Sequence, residues 1–285
     1  MTRRLSTVPL VGLAILIALL SASRVTAGPI GFATAWDRQP NSNTNLYSVD
    51  FATGVPTLIG DTGVFQFIEA IAFSPAGQLF GTSTGGDRYQ TAYSSLYSID
   101  PLTGAATLIN NTGVVNIEAI DFVGNTLYGV AFTDIPTIYT IDPATGAATQ
   151  LLTATQSTGY VRASYIQAPG TMIVRGDGGL GCSGDCLFSI DLATGATSLI
   201  GQMTGAAAGD SKLVSGLDLF SDGHLYGVNA NGQVFSVNGL NTTQIAAPGL
   251  AFLDLAEPVP EPASLLLFGT GLAGVAARAW RKRRR

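Results

Sequence analysis

One five-residue pattern recurs along the chain and decides most of what it can fold into. It begins as Leu46-Tyr47-Ser48-Val49-Asp50 and returns at Leu96–Asp100, Ile138–Asp142, Leu187–Asp191 and Val234–Asn238, with starts 50, 42, 49 and 47 residues apart. A Thr-Gly pair follows each of the first four copies, at Thr53-Gly54, Thr103-Gly104, Thr145-Gly146 and Thr194-Gly195. A short second apolar segment then follows, such as 106–109 or 197–200. Alternating residues, an acidic residue opening a turn, a glycine where positive φ is wanted and a return segment together predict a β-hairpin in every copy.

Two further strands fit between successive hairpins. One type reads Ile68-Glu69-Ala70-Ile71-Ala72-Phe73, then Ile117–Phe122 and a degenerate Val214–Leu219; the other reads Leu79–Thr82, Leu127–Val130 and Leu225–Val228. A copy over Tyr160–Ile166 and Met172–Val174 is weakly recognisable. Four strands in 42 to 50 residues is the period of a propeller blade. The body opens at Gly31–Trp36, which matches the second strand of a blade, and closes at Leu250–Leu255, which matches a first strand. If the last strand completes the first blade, the ring shuts and few edges stay exposed. The expected fold is therefore all-β, a five-bladed propeller with four antiparallel strands per blade. A β-solenoid is the rival, but its repeats are shorter and need no exchange of strands between the ends.

Charge narrows the partners. Residues 28–260 hold 18 acidic and 5 basic side chains, a net charge of −13 that the whole-chain value of −5 conceals. Such a body is repelled by phosphate backbones, so nucleic acid is an improbable partner.

The two ends follow other rules. Arg3 and Arg4 precede an uncharged apolar run from Val8 to Leu20, and small residues lead to Ala27 and Gly28. This predicts a signal helix over 1–27, cut between Ala27 and Gly28, because 13 apolar residues fall short of a comfortable bilayer span. An uncleaved anchor is the alternative. At the other end, a Pro-rich linker (257–262) precedes an apolar stretch, 263–280, whose one charge is Arg278. As a helix it would span about 27 Å at ~1.5 Å per residue, enough for the bilayer core. Arg281, Lys282, Arg283, Arg284 and Arg285 form a basic cytoplasmic stop (281–285).

Pro260-Glu261-Pro262, the apolar stretch that starts at Ala263 and the terminal arginine cluster resemble a PEP-CTERM sorting signal over roughly the last 26 residues. The resemblance implies export in a Gram-negative cell, at least transient insertion in the inner membrane, and an exosortase-type enzyme that removes the tail near the motif. The protein would then reach the cell surface or the medium, often alongside exopolysaccharide. A plain C-terminal anchor with a Pro-rich hinge is the competing reading. The passenger, residues 28–256, is not specified by the tail.

Inside the body, several patterns invite a chemical role. Cys182 and Cys186 in an exported chain point to a local disulfide; a zinc site would need more ligands than the single His224 offers. Gly176–Gly181 spells Gly-x-Gly-x-x-Gly, but a second strand rather than a helix follows, so no phosphate cradle is expected. Asp50, Asp100, Asp142 and Asp191 fit either a calcium ring or, more simply, Asx bonds within their own turns. His224 reads as surface decoration. Glu69 and Glu118 recur at one position of neighbouring blades, where acid–base work on a glycan or an ion pair with Arg162 is open to them. No catalytic residue, cofactor or metal site is assigned. The expected function is non-enzymatic: a binding or structural passenger at the cell surface, with exopolysaccharide or another surface component as partner. The alternative is a propeller enzyme acting on glycans.

Overall fold

In a computed structural model, residues 28–258 are described, except 37, 40–41, 66, 84–92, 169 and 206–213. The signal segment with Ala27, the motif Pro260-Glu261-Pro262, the apolar stretch and the basic cluster lie outside the described residues. The described residues contain no helix.

Twenty-one strands make five sheets, numbered β1 to β21 in chain order. The first blade joins β1 (Ile30–Trp36), β2 (Thr44–Asp50) and β3 (Val55–Asp61) to the last strand, β21 (Ala251–Ala256), which pairs antiparallel with β1 as the innermost strand. The second holds β4 (Ile68–Phe73), β5 (Leu79–Ser83), β6 (Tyr93–Ile99) and β7 (Ala106–Val115). The third holds β8 (Ile117–Val123), β9 (Thr126–Ala131), β10 (Thr137–Ile141) and β11 (Ala148–Thr153). The fourth holds β12 (Ala163–Ala168), β13 (Thr171–Gly176), β14 (Cys186–Asp191) and β15 (Thr197–Gln202). The fifth holds β17 (Val214–Leu219), β18 (Leu225–Asn229), β19 (Val234–Asn238) and β20 (Asn241–Ala246). A two-residue strand, β16 (Thr204–Gly205), adds in parallel to β20, so this blade has five strands rather than four. The chain is a five-bladed propeller closed by its last strand.

Registers fix how the repeat superposes. Gly81 faces Tyr97 as Ala33 faces Tyr47, and Ile71 and Leu255 respectively face those two residues from the inner strands. A bulge follows in each inner strand, which puts Phe252 level with Ile68 and Leu253 level with Glu69. In the fourth blade the inner strand starts at Ala163, three residues later than the sequence pattern places it. There Val161 is buried as part of the loop that enters the blade.

The repeated hairpins form as their chemistry requires. Asp100 accepts the Leu102 amide (2.9 Å) and the Thr103 hydroxyl (2.8 Å), and Asp142 repeats this with Ala144 (2.9 Å) and Thr145 (2.8 Å). Gly104 takes φ +81°, and a Cβ there would lie 2.8 Å from the Gly60 carbonyl oxygen of the preceding blade. Only glycine meets both conditions. Packing is divided equally around the ring. Each of five apolar clusters bridges two adjacent blades, for example Leu46, Ile68, Leu79 and Ile99 between the first and second, and Met172, Val174, Phe188 and Val130 between the fourth and third. Burial at about 25 cal/mol per Å² of apolar surface therefore locks every blade to two neighbours rather than to one common centre.

Candidate functional site

The inner strands β4, β8, β12, β17 and β21 surround a central channel and all run the same way along it. Residues near their N-terminal ends, Glu69, Glu118, Arg162, Ser215 and Leu253, meet at what we term the upper mouth. Residues deeper along these strands, including Ile71, Asp121, Ser164 and Asp218, with Glu257 just beyond β21, meet at the lower mouth. Strand alternation sends the β1–β2, β9–β10, β13–β14 and β18–β19 connections to the upper side. The β4–β5, β8–β9 and β17–β18 turns, together with the Asp-opened hairpins, go to the lower side.

The upper mouth is a nearly filled polar plug. Glu69 and Glu118 are buried, and Arg162 places Nη1 3.6 Å from Glu118 Oε2. The cavity they enclose is about 20 Å³, room for about one water and far too little for a sugar ring. Beside it the Arg162 guanidinium lies 4.8 Å from the centre of the Phe132 ring, and Phe132 stacks on Tyr160 at 4.6 Å and 24°. Tyr160 is 47% exposed, so this aromatic pair forms an open ledge on the rim. Behind the ledge, Arg175 and Asp185 form a fully buried ion pair, with Arg175 Nε donating to Asp185 Oδ1 at 2.7 Å. Asp185 also accepts the Val214 amide (3.2 Å), which ties the fourth blade to the fifth. Cys182 and Cys186 are joined in a disulfide that closes the loop carrying Asp185.

The lower mouth has the opposite electrostatics. It opens into a cavity of about 130 Å³. Asp121 accepts the Ile166 amide (2.7 Å) of the next blade, and Asp218 accepts the Glu257 amide (2.7 Å) just beyond β21. Asp254, buried one step deeper, accepts the Ile71 amide (2.8 Å) of the second blade. Each of these carboxyls therefore fastens one blade to another. Gly216 leaves the room that Asp254 needs, since a Cβ there would come within 2.8 Å of its Cα and Oδ1. Burial pushes the Asp121 carboxyl up to about 6, against the pull of the Ile166 and Phe122 amides. Burial, reinforced by the charge of Asp121, pushes Asp218 up to about 8, and burial raises Asp254 as well.

The other sequence candidates separate from the channel. Asp50, Asp100, Asp142 and Asp191 sit one per blade, each bonded to its own turn. The Leu102 amide and Thr103 hydroxyl hold Asp100 below the usual carboxylate range; the Ala144 amide and Thr145 hydroxyl do so for Asp142, and the Thr194 hydroxyl and amide for Asp191. Among the described residues no group of three or more acidic, histidine or cysteine side chains is arranged to hold a metal. Gly176–Gly181 ends β13 and turns into the disulfide loop. His224 lies exposed, its Nδ1 3.4 Å from Asp222 Oδ1.

With the channel's ends defined, the path of the chain out of the body is also fixed: β21 delivers Glu257 and Pro258 to the lower mouth, and residues 258–284 match the PEP-CTERM protein-sorting motif. The chain carries a PEP-CTERM sorting signal. That motif is the recognition signal for exosortase processing, and it implies export and membrane anchoring before the tail is processed. Among solved structures, the chain is similar to one from a nidogen/laminin complex (11% identity, 82% of this chain and 100% of that one, TM-score 0.48). It is also similar to TolB from Acinetobacter baumannii (18%, 87% and 57%, 0.46) and a putative 6-phosphogluconolactonase from Bacteroides fragilis (15%, 79% and 68%, 0.42). These likenesses are too distant to bear on function. Comparison with curated proteins finds no match.

Three features of the site escape a reading of the sequence. The aromatic ledge joins residues 28 positions apart. The Arg175–Asp185 pair carries one faint signal, since Arg175 is one of only five basic residues in the body. Asp121, Asp218 and Asp254 carry a clearer one: each stands on a largely buried inner strand, where an acid must find donors.

Proposed function

We propose that this chain is an exported, exosortase-processed surface protein whose propeller is a non-enzymatic module that holds matrix polysaccharide on the rim of its upper mouth. The observation that carries this reading is the Tyr160–Phe132 ledge, exposed and braced by Arg162. An exposed ring presents a flat apolar face to the C–H face of a sugar, while the phenol and the guanidinium supply donors to its hydroxyls. The carboxylates behind the ledge set its charge and keep Arg162 in place. Binding to immobilised exopolysaccharide of the producing cell, measured by glycan array and pull-down, is expected to fall at least tenfold in Tyr160→Ala. Failure to bind any matrix component would overturn the proposal.

The convergence of Glu69 and Glu118 on one mouth supports a second reading, a glycan-active enzyme with these residues as acid and base. The Arg162 contact to Glu118 and the filled cavity weigh against it, because a sugar ring has no room between them. Turnover of a polysaccharide panel, abolished by Glu69→Gln, would establish it.

A further inference from the structure

The sorting tail leaves the body at a defined place, and that place orients the molecule. Glu257 lines the lower mouth, close to the propeller axis. Its carboxylate accepts the Ser221 amide (2.6 Å) and hydroxyl (2.7 Å), and its own amide donates to Asp218 (2.7 Å). The chain is therefore clamped three residues before Pro260. Only four residues, 259–262, separate Pro258 from the apolar stretch at Ala263. Fully extended, that tether covers about 17 Å at ~3.3–3.6 Å per residue.

The body is wider than the tether is long. Four strands at about 4.8 Å make a blade nearly 20 Å deep from axis to rim, and a six-residue inner strand is about 20 Å tall. To turn its upper mouth toward the membrane, the propeller would need a tether running from the axis to the rim and then up the side, roughly 40 Å. The available length falls short by a factor of about two. Gly28 also emerges on the lower side, where a Cβ would meet Asp50 and Ala52.

We infer that, until the tail is cut, the propeller stands on the membrane by its lower mouth, with the upper mouth, its aromatic ledge and its disulfide loop facing outward. The charges agree with that posture. The lower side carries Asp50, Asp100, Asp142, Asp191, Asp222 and Glu257, and among the described residues no Lys or Arg; Arg38, Arg162 and Arg175 all lie at the upper end. With no basic cluster among the described residues of this face to bind head groups, the tether alone holds it near the membrane. The processing enzyme therefore meets the motif in the narrow gap beneath the lower mouth.

This inference rests on the sorting reading, and one experiment separates the two. In a strain lacking the exosortase, single cysteines are placed on the lower turns (Asn125→Cys or Ala76→Cys) and on the upper rim (Ile135→Cys), all exposed positions. Labelling of spheroplasts with a 5-kDa polyethylene-glycol maleimide is expected to be at least fivefold faster for Ile135→Cys than for either lower site. Inserting thirty Gly/Ser residues after Pro258 should erase the difference. Equal labelling on membrane-bound protein overturns the orientation alone. Release of the full-length chain from the membrane in that strain removes both the orientation and the sorting reading.

Discussion

The two mouths of the channel are built from the same five strands yet handle buried acid in opposite ways. At the upper mouth the acids have cations nearby: Arg162 reaches Glu118, and Arg175 pairs with Asp185. At the lower mouth Asp121, Asp218 and Asp254 accept backbone amides, and burial raises their carboxyl pKa values. Charge is thus met by a cation above, while below burial shifts each carboxyl toward its protonated form. In the first, Arg162 is shared between a carboxylate and the Phe132 ring. The second spends every carboxyl on joining blades, which suits the end that holds the closing strand and the clamped exit of the tail.

The contrast can be broken most forcefully at Arg175. Arg175→Ala leaves Asp185 buried without its cation and is expected to cost about 3–5 kcal/mol in urea unfolding, whereas Arg175→Met with Asp185→Asn, which keeps an acceptor for the Val214 amide, should recover part of that loss. Next comes the closing strand. Asp254→Ala strands the Ile71 amide in the interior and should cost about 2 kcal/mol, while Asp254→Asn, which keeps an acceptor and resembles the protonated acid, should cost less than ~1 kcal/mol.

Acid itself sharpens the comparison. Asp218 and Asp121 hold protons in the folded state up to about pH 8 and 6, but release them near pH 4 when unfolded. The folded state thus binds more protons across that window. Their contribution is complete below about pH 4 and is lost as pH rises through 6 and 8. The melting temperature should climb as pH falls from 8 to 5, by about 3 °C for each kcal/mol regained, and Asp218→Asn should flatten that slope. The turn aspartates with lowered pKa act only below this window. The smallest effect belongs to the upper plug: Glu118→Gln should change stability by less than ~1 kcal/mol, since Arg162 is partly solvated and keeps its ring contact.

The blades and their closure were legible because they rest on local chemistry that repeats: Asp and Thr to open a turn, glycine at positive φ, alternation between. Strand exchange was legible from the unmatched halves at the two ends. The register of β21 was not, because a bulge at Leu253 shifts the strand without leaving a mark in its residue types. The ledge and the buried pairs were hidden for a related reason. They join loops and strands of different blades, and side chains that meet once have no repeat to announce them. The fourth blade, where Arg162, Arg175, Tyr160 and both cysteines gather, is also the copy whose sequence departs most from the pattern. Divergence from the repeat therefore marked the candidate site better than any motif did.

Export of the propeller and sorting by its tail are tested by the intact mass of the mature chain. Cell envelope and medium are compared in strains with and without the exosortase. Residues 1–27 should be lost in both strains, and everything from about Pro260 onward only where the exosortase is present. A C-terminus that stays full length and membrane-embedded in both strains would contradict sorting by the tail.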